Sequence, residues 1–171
     1  MLRLRAPTPV DIPALAALGR ASFSEAFGHL YRPEDLAAFL DEVHDEGAVA
    51  RRLGDPARVY ALADVNRALA GYCQLVLTDQ FDHPTDAAFG ITLSQLYCAG
   101  GHTGSGVGGA LMDWALAEAR ARGADEMRLS VWSGNFGAQR FYARYGFEHV
   151  ADIDFWVGSQ RDDEFLYSLK L

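Results

Sequence analysis

Apolar residues recur at helical spacing through the first part of the chain. Ile12, Leu15, Ala16, Gly19, Phe23 and Phe27 make one stripe. Asp11 stands ahead of it as a predicted N-cap, and Pro13 falls in the first turn, where its missing N–H does no harm. Leu2 to Ala6 reads as a short strand before this helix. Pro33-Glu-Asp35 opens a second helix with Leu36, Phe39, Leu40 and Val43 inward, and a third runs from Ala48 to Leu53 until Gly54-Asp-Pro56 stops it.

From Arg58 the texture changes from helical to β-type. Val59 to Ala63 and Leu69 to Leu77 are β-type runs about a polar turn at Asp64 to Arg67, a predicted hairpin. Asp79 to Thr85 is a polar loop, and Ile91 to Cys98 another strand. Val107 to Arg122 is a helix with Val107, Ala110, Leu111, Trp114 and Ala115 on one face and Gly123 at its end. Met127 to Trp132 is a strand, Asn135 to Tyr145 a helix closed by Gly146, and Phe147 to Val157 and Glu164 to Leu169 are closing strands. With no repeat, linker or second composition regime, residues 1–171 form one mixed α/β domain.

Composition narrows the function. Half the residues are hydrophobic and 22% are charged, which excludes a disordered chain. Fifteen basic against 23 acidic residues give a formal charge of −8, without the basic footprint that nucleic acid requires. Cys73 and Cys98 lie in apolar runs and read as buried thiols in a reducing, cytoplasmic compartment. The five histidines (His29, His44, His83, His102 and His149) have no metal spacing, so no metal is expected. Met1 to Pro7 lacks the apolar core of a signal peptide, and no apolar run reaches membrane-spanning length.

The chemistry concentrates in Gly100-Gly-His-Thr-Gly-Ser-Gly-Val-Gly-Gly109, at a strand-to-helix junction. Each glycine there costs roughly 0.5–1 kcal/mol relative to alanine, so so many together imply close approach of a ligand to the backbone. The first amides of a helix lack internal partners and sit at its positive end, which suits a phosphate or pyrophosphate. A Walker loop is excluded because no lysine follows the glycines. Gly104-Ser-Gly-Val-Gly-Gly109 also satisfies the dinucleotide fingerprint G-x-G-x-x-G. Against that reading, Ala99 to Thr103 separate the strand from the first fingerprint glycine, and Asp125 precedes its strand instead of ending it. A glycine-rich turn without a ligand stays open.

A third reading comes from likeness. Thr103-Gly-Ser-Gly-Val-Gly108 resembles the pyrophosphate loop, Arg/Gln-x-x-Gly-x-Gly/Ala, of the GNAT superfamily of N-acetyltransferases. Leu93-Ser-Gln-Leu-Tyr-Cys98 resembles that family's bulged fourth strand. Val131-Trp-Ser-Gly-Asn135, Ala138 and Phe141-Tyr-Ala-Arg-Tyr-Gly-Phe147 resemble its motif Asn-x-x-Ala-x-x-Phe-Tyr-x-x-x-Gly-Phe. Thr103 departs from the pattern, standing where arginine or glutamine is usual. Ser22-Phe-Ser-Glu-Ala-Phe27, Arg32-Pro-Glu-Asp-Leu36 and the tail from Val157 are similar to bacterial PaiA-type polyamine acetyltransferases.

The resemblance implies a curved, largely antiparallel sheet of six or seven strands flanked by helices. It also implies direct acetyl transfer from acetyl-CoA to a small-molecule amine, a polyamine among the candidates. By the same resemblance Leu96, Tyr97 and Cys98 pair with the pantetheine arm, and Thr103, Gly104, Ser105, Gly106, Val107, Gly108 and Gly109 hold the pyrophosphate. Asn135 contacts the pantetheine region, and Tyr142 is the acid that protonates sulfur. Residue types leave duller roles open: Asn135 as a helix cap, Tyr142 as a core aromatic. Glu25, off the apolar stripe of the first helix, is the candidate base, and a solvated helix charge is its alternative. A non-catalytic acyl-CoA sensor on the same fold stays open. So does a homodimer, with the terminal strand free to pair across it.

Overall fold

The computed structural model describes residues 1–171. Its elements in chain order are β1 (Leu2–Arg5), α1 (Ile12–Phe27), α2 (Pro33–Val43), α3 (Glu46–Leu53), β2 (Arg58–Val65), β3 (Ala68–Val76), β4 (Gly90–Cys98), α4 (Val107–Ala121), β5 (Glu126–Trp132), α5 (Phe136–Arg144), β6 (Glu148–Val157) and β7 (Gln160–Lys170). The strands form one sheet in the order β1-β2-β3-β4-β5-β7-β6, parallel only between β4 and β5. That parallel pair needs a crossover, and α4 supplies it. No helix is long and apolar enough to cross a membrane.

The two faces of the sheet are covered by different helices because the strands alternate. Cys73 and Leu75 of β3, Ile91 of β4 and Met127 and Leu129 of β5 face α4, where Leu111, Met112 and Ala115 are fully buried. Burying each large apolar side chain there contributes about 1.5–3 kcal/mol. Tyr60 and Leu62 of β2 and Tyr72 of β3 face the other way, onto Leu15, Ala16 and Leu18 of α1 and Val49 of α3. Gly71 lets α4 settle closely: a Cβ there would stand 2.7 Å from the Tyr97 carbonyl oxygen and 2.9 Å from Val107 Cγ1.

Three expectations change. Asp11 holds the N-cap position of α1, but its side chain does not cap the helix; the carboxylate turns back to Arg5 at 2.9 Å and to the Thr8 amide at 2.7 Å, drawn by the charge-assisted pair with an arginine on β1. Phe147 is a buried plug ahead of β6, not part of the strand. The C-terminal strand β7 is not a free edge either. It inserts between β5 and β6, and its alternation places Phe165 and Tyr167 towards the α4 core; β1 and β6 are the edges.

Candidate active site

The site arises where the sheet comes apart. β4 and β5 pair only at Gly90, Ile91 and Thr92 with Glu126, Met127 and Arg128, then diverge. A bulge assists: Gln95 pairs with Gln74 and Leu93 with Leu75, leaving Ser94 as an extra residue that bends β4. The opening is a cleft of about 940 Å³ that passes between the strands from the α4–α5 face to the α1 face. α1 is tied across it by Ser22, whose hydroxyl donates to the Cys98 carbonyl at 3.2 Å.

On the α4–α5 face the glycine loop forms the mouth. Gly104 and Gly106 have φ of +77° and +89°, and no atom lies within 4 Å of where a Cβ would stand on either. An open, left-handed pair of glycines beside a helix start is a cradle that side chains would fill. The first intrahelical bond at this end is the Ala110 amide to the Gly106 carbonyl, so the amides of Val107, Gly108 and Gly109 have no backbone partner ahead of them. This donor set fits a pyrophosphate.

Most of the sequence-predicted residues converge here. Leu96, Tyr97, Cys98, Thr103, Gly104, Gly106, Gly108, Gly109, Asn135 and Tyr142 line the cleft. Val107 is buried beneath the loop, and the Ser105 hydroxyl is spent on the His102 carbonyl, so neither side chain is offered to the cleft. Asn135 does cap α5, accepting from the Ala138 amide at 3.1 Å, and its cap position sets it at the cleft wall. Burial, reinforced by the neighbouring thiols, tyrosine and Glu164, pushes the Tyr142 hydroxyl above its ordinary pKa, so it keeps its proton at neutral pH.

Glu25 is not brought into this group. It is exposed on α1, where a Cβ on Gly100 would lie 3.3 Å from its Oε2, and it is absent from the cleft wall. The carboxylate in the cleft is Glu164 of β7, which sequence reasoning passed over. It is 8% exposed, and burial, with Asp162 nearby, pushes its pKa up to about 7. The available signal was the two-residue period of Asp162, Glu164, Leu166 and Ser168 against Phe165, Tyr167 and Leu169, which turns the acids away from the aromatic face.

Parting parallel strands, a glycine cradle at one mouth and paired acid–base candidates within define an acyl-coenzyme A transferase site. Comparison with known proteins agrees. The family model for the acetyltransferase (GNAT) family matches residues 20–147. An uncharacterised N-acetyltransferase of Mycobacterium tuberculosis is 32% identical over 156 residues, 91% of this chain and 95% of the relative. Another, from the pepI 3′ region of Lactobacillus delbrueckii subsp. lactis, is 28% identical over 91% of this chain and 90% of its own. The fold is shared with the PaiA N-acetyltransferase of Thermoplasma acidophilum, solved in complex with coenzyme A (TM-score 0.79, 19% identity, 100% of this chain and 99% of that one). It is also shared with the ribosomal-protein-alanine N-acetyltransferase of Brucella melitensis (TM-score 0.70, 19% identity, 99% of each chain). The chain belongs to the GNAT family and is an acetyl-CoA-dependent N-acetyltransferase.

Proposed function

We propose that the enzyme acetylates the primary amine of a small molecule, with Glu164 as base and Tyr142 as acid. Backbone amides from Gly104 to Gly109 would hold the pyrophosphate, and the free edge of β4 from Leu96 to Cys98 would pair with the pantetheine arm, beside Asn135. Acetyl-CoA supplies an acetyl group on sulfur, which passes to the amine nitrogen as the C–N bond forms and the C–S bond breaks. Glu164 takes a proton from the incoming ammonium, freeing the nitrogen lone pair. Tyr142 gives its proton to the departing sulfur and regains one as nitrogen sheds its second. The net products are the acetamide, coenzyme A thiol and one proton.

The observation that carries this reading is the position of the two groups. Glu164 stands on the α1 side of the parted strands and Tyr142 on the α4–α5 side, both in one cleft. Glu164 replaces Glu25 as the proposed base because it lines that cleft, and Glu25 does not. The PaiA likeness keeps a polyamine among the acceptors to be tried. Following thiol release from acetyl-CoA with a panel of amines, alongside a thermal-shift titration with acetyl-CoA, tests the proposal. Binding together with amine-dependent thiol release is expected; binding with no release from any amine would overturn the small-molecule acceptor.

A further inference from the structure

Glu164 is the one carboxylate in the cleft wall, and the one guanidinium there, Arg144, stands on α5 at the coenzyme side. The neighbouring acids are already engaged. Asp162 accepts from the Tyr31 hydroxyl and from Gln160 Nε2, and Asp35 is held by Arg32 at 3.0 Å and by the Ser159 amide at 3.1 Å. Aromatic side chains make much of the cleft wall on the α1 side. Phe23 and Phe27 meet with centroids 5.2 Å apart, Phe23 stacks on Tyr31 at 6.0 Å, and Phe27 meets Trp132 edge-on at 6.2 Å. Phe155 of β6 completes the wall. Rings from α1, β5 and β6 thus line the same cleft as this single acid.

Resting on the acetyltransferase reading, we propose that the acceptor is a monoamine with an apolar, ring-sized body. Its one ammonium pairs with Glu164 and its body packs against Phe27, Trp132 and Phe155. A polyamine fits poorly. Its further ammonium groups would be stripped of water against rings with no carboxylate left for them, and the attraction of a ring face for a cation is smaller than that cost. A free amino acid fits poorly for the opposite reason: its carboxylate would lie beside Glu164 with no cation to meet it.

Steady-state kinetics with phenethylamine, ethylamine, phenylalanine and spermidine test this. The expected kcat/KM for phenethylamine exceeds that of each of the others at least tenfold. Phe27→Ala should reduce the phenethylamine advantage over ethylamine at least threefold while leaving the acetyl-CoA thermal shift unchanged. Spermidine or phenylalanine matching phenethylamine would overturn the inference and leave acetyl transfer standing. Absence of thiol release with all four amines, despite acetyl-CoA binding, would overturn the small-amine reading and this one with it.

Discussion

Glu164 and Trp132 are ladder partners across the antiparallel pair of β7 and β5, so the buried carboxylate and the indole project from the same face into the parted sheet. The register fixes this juxtaposition: a one-residue slip would turn Phe165 into the cleft and Glu164 into the α4 core. Holding a carboxylate beside an indole in a buried setting disfavours its ionised form, which explains the upward displacement to about 7.

That displacement makes activity depend on pH. A base must be ionised, so kcat/KM should rise with pH along a limb centred near 7 and fall about tenfold per unit below it. Glu164→Gln should abolish this limb and lower turnover by about 10²–10⁴-fold, the range for loss of a positioned proton acceptor. A pH–rate profile of both proteins decides it; an unchanged limb in the variant would assign the ionisation elsewhere.

Tyr142 makes the complementary case. Its hydroxyl is held protonated by burial and so stays ready to donate. Tyr142→Phe should leave acetyl-CoA binding within about twofold while turnover falls at least tenfold. Calorimetry alongside a thiol-release assay separates the two quantities, and unchanged turnover would remove Tyr142 from the acid role.

Gly106 tests the cradle. With φ at +89°, alanine there is strained by about 1–2 kcal/mol, and its methyl group would project into the open space before the α4 amides. Gly106→Ala should raise KM for acetyl-CoA at least tenfold and leave KM for the amine unaltered. An equal effect on both would mean that the substitution disturbs the whole cleft instead of one mouth.

The glycine mouth of the cleft and the cap beside it were legible in the sequence because their demands are local. A positive φ needs glycine, a helix start needs a cap, and Gly104, Gly106 and Asn135 declare both within a few residues. The acceptor half is long-range. Glu164 enters the cleft because β7 threads between β5 and β6, whereas in the sequence it reads only as the first residue of a closing strand, behind the charged run Arg161-Asp-Asp163. Glu25 lies off the apolar stripe of α1, but that side of the helix faces the Gly100 loop. The partner of the Asp11 carboxylate is likewise set by the fold, since nothing local reveals that Arg5 on β1 will claim it.

His44 carries a stability cost on acidification. It has no exposed surface, neither ring nitrogen has a partner, and it packs among Phe23, Phe39 and Tyr97. Burial, with Arg52 and Arg20 adding repulsion, lowers its pKa from 6.5 to about 4. Between those values the unfolded chain binds the extra proton, so stability falls as pH falls, by about 3 kcal/mol once below both. Glu164 has the opposite sign: between its ordinary 4.5 and about 7 the folded chain binds the extra proton, so its contribution grows as pH falls. Over the shared window the two slopes offset one another, and the wild-type melting temperature should change little from these groups. Glu164→Gln removes one slope and should melt progressively lower from pH 6.5 towards 4.5. His44→Phe removes the other and should melt higher as pH falls from 7. Melting curves of the three proteins across that range check both signs together, and parallel profiles for all three would show that neither group is displaced as described.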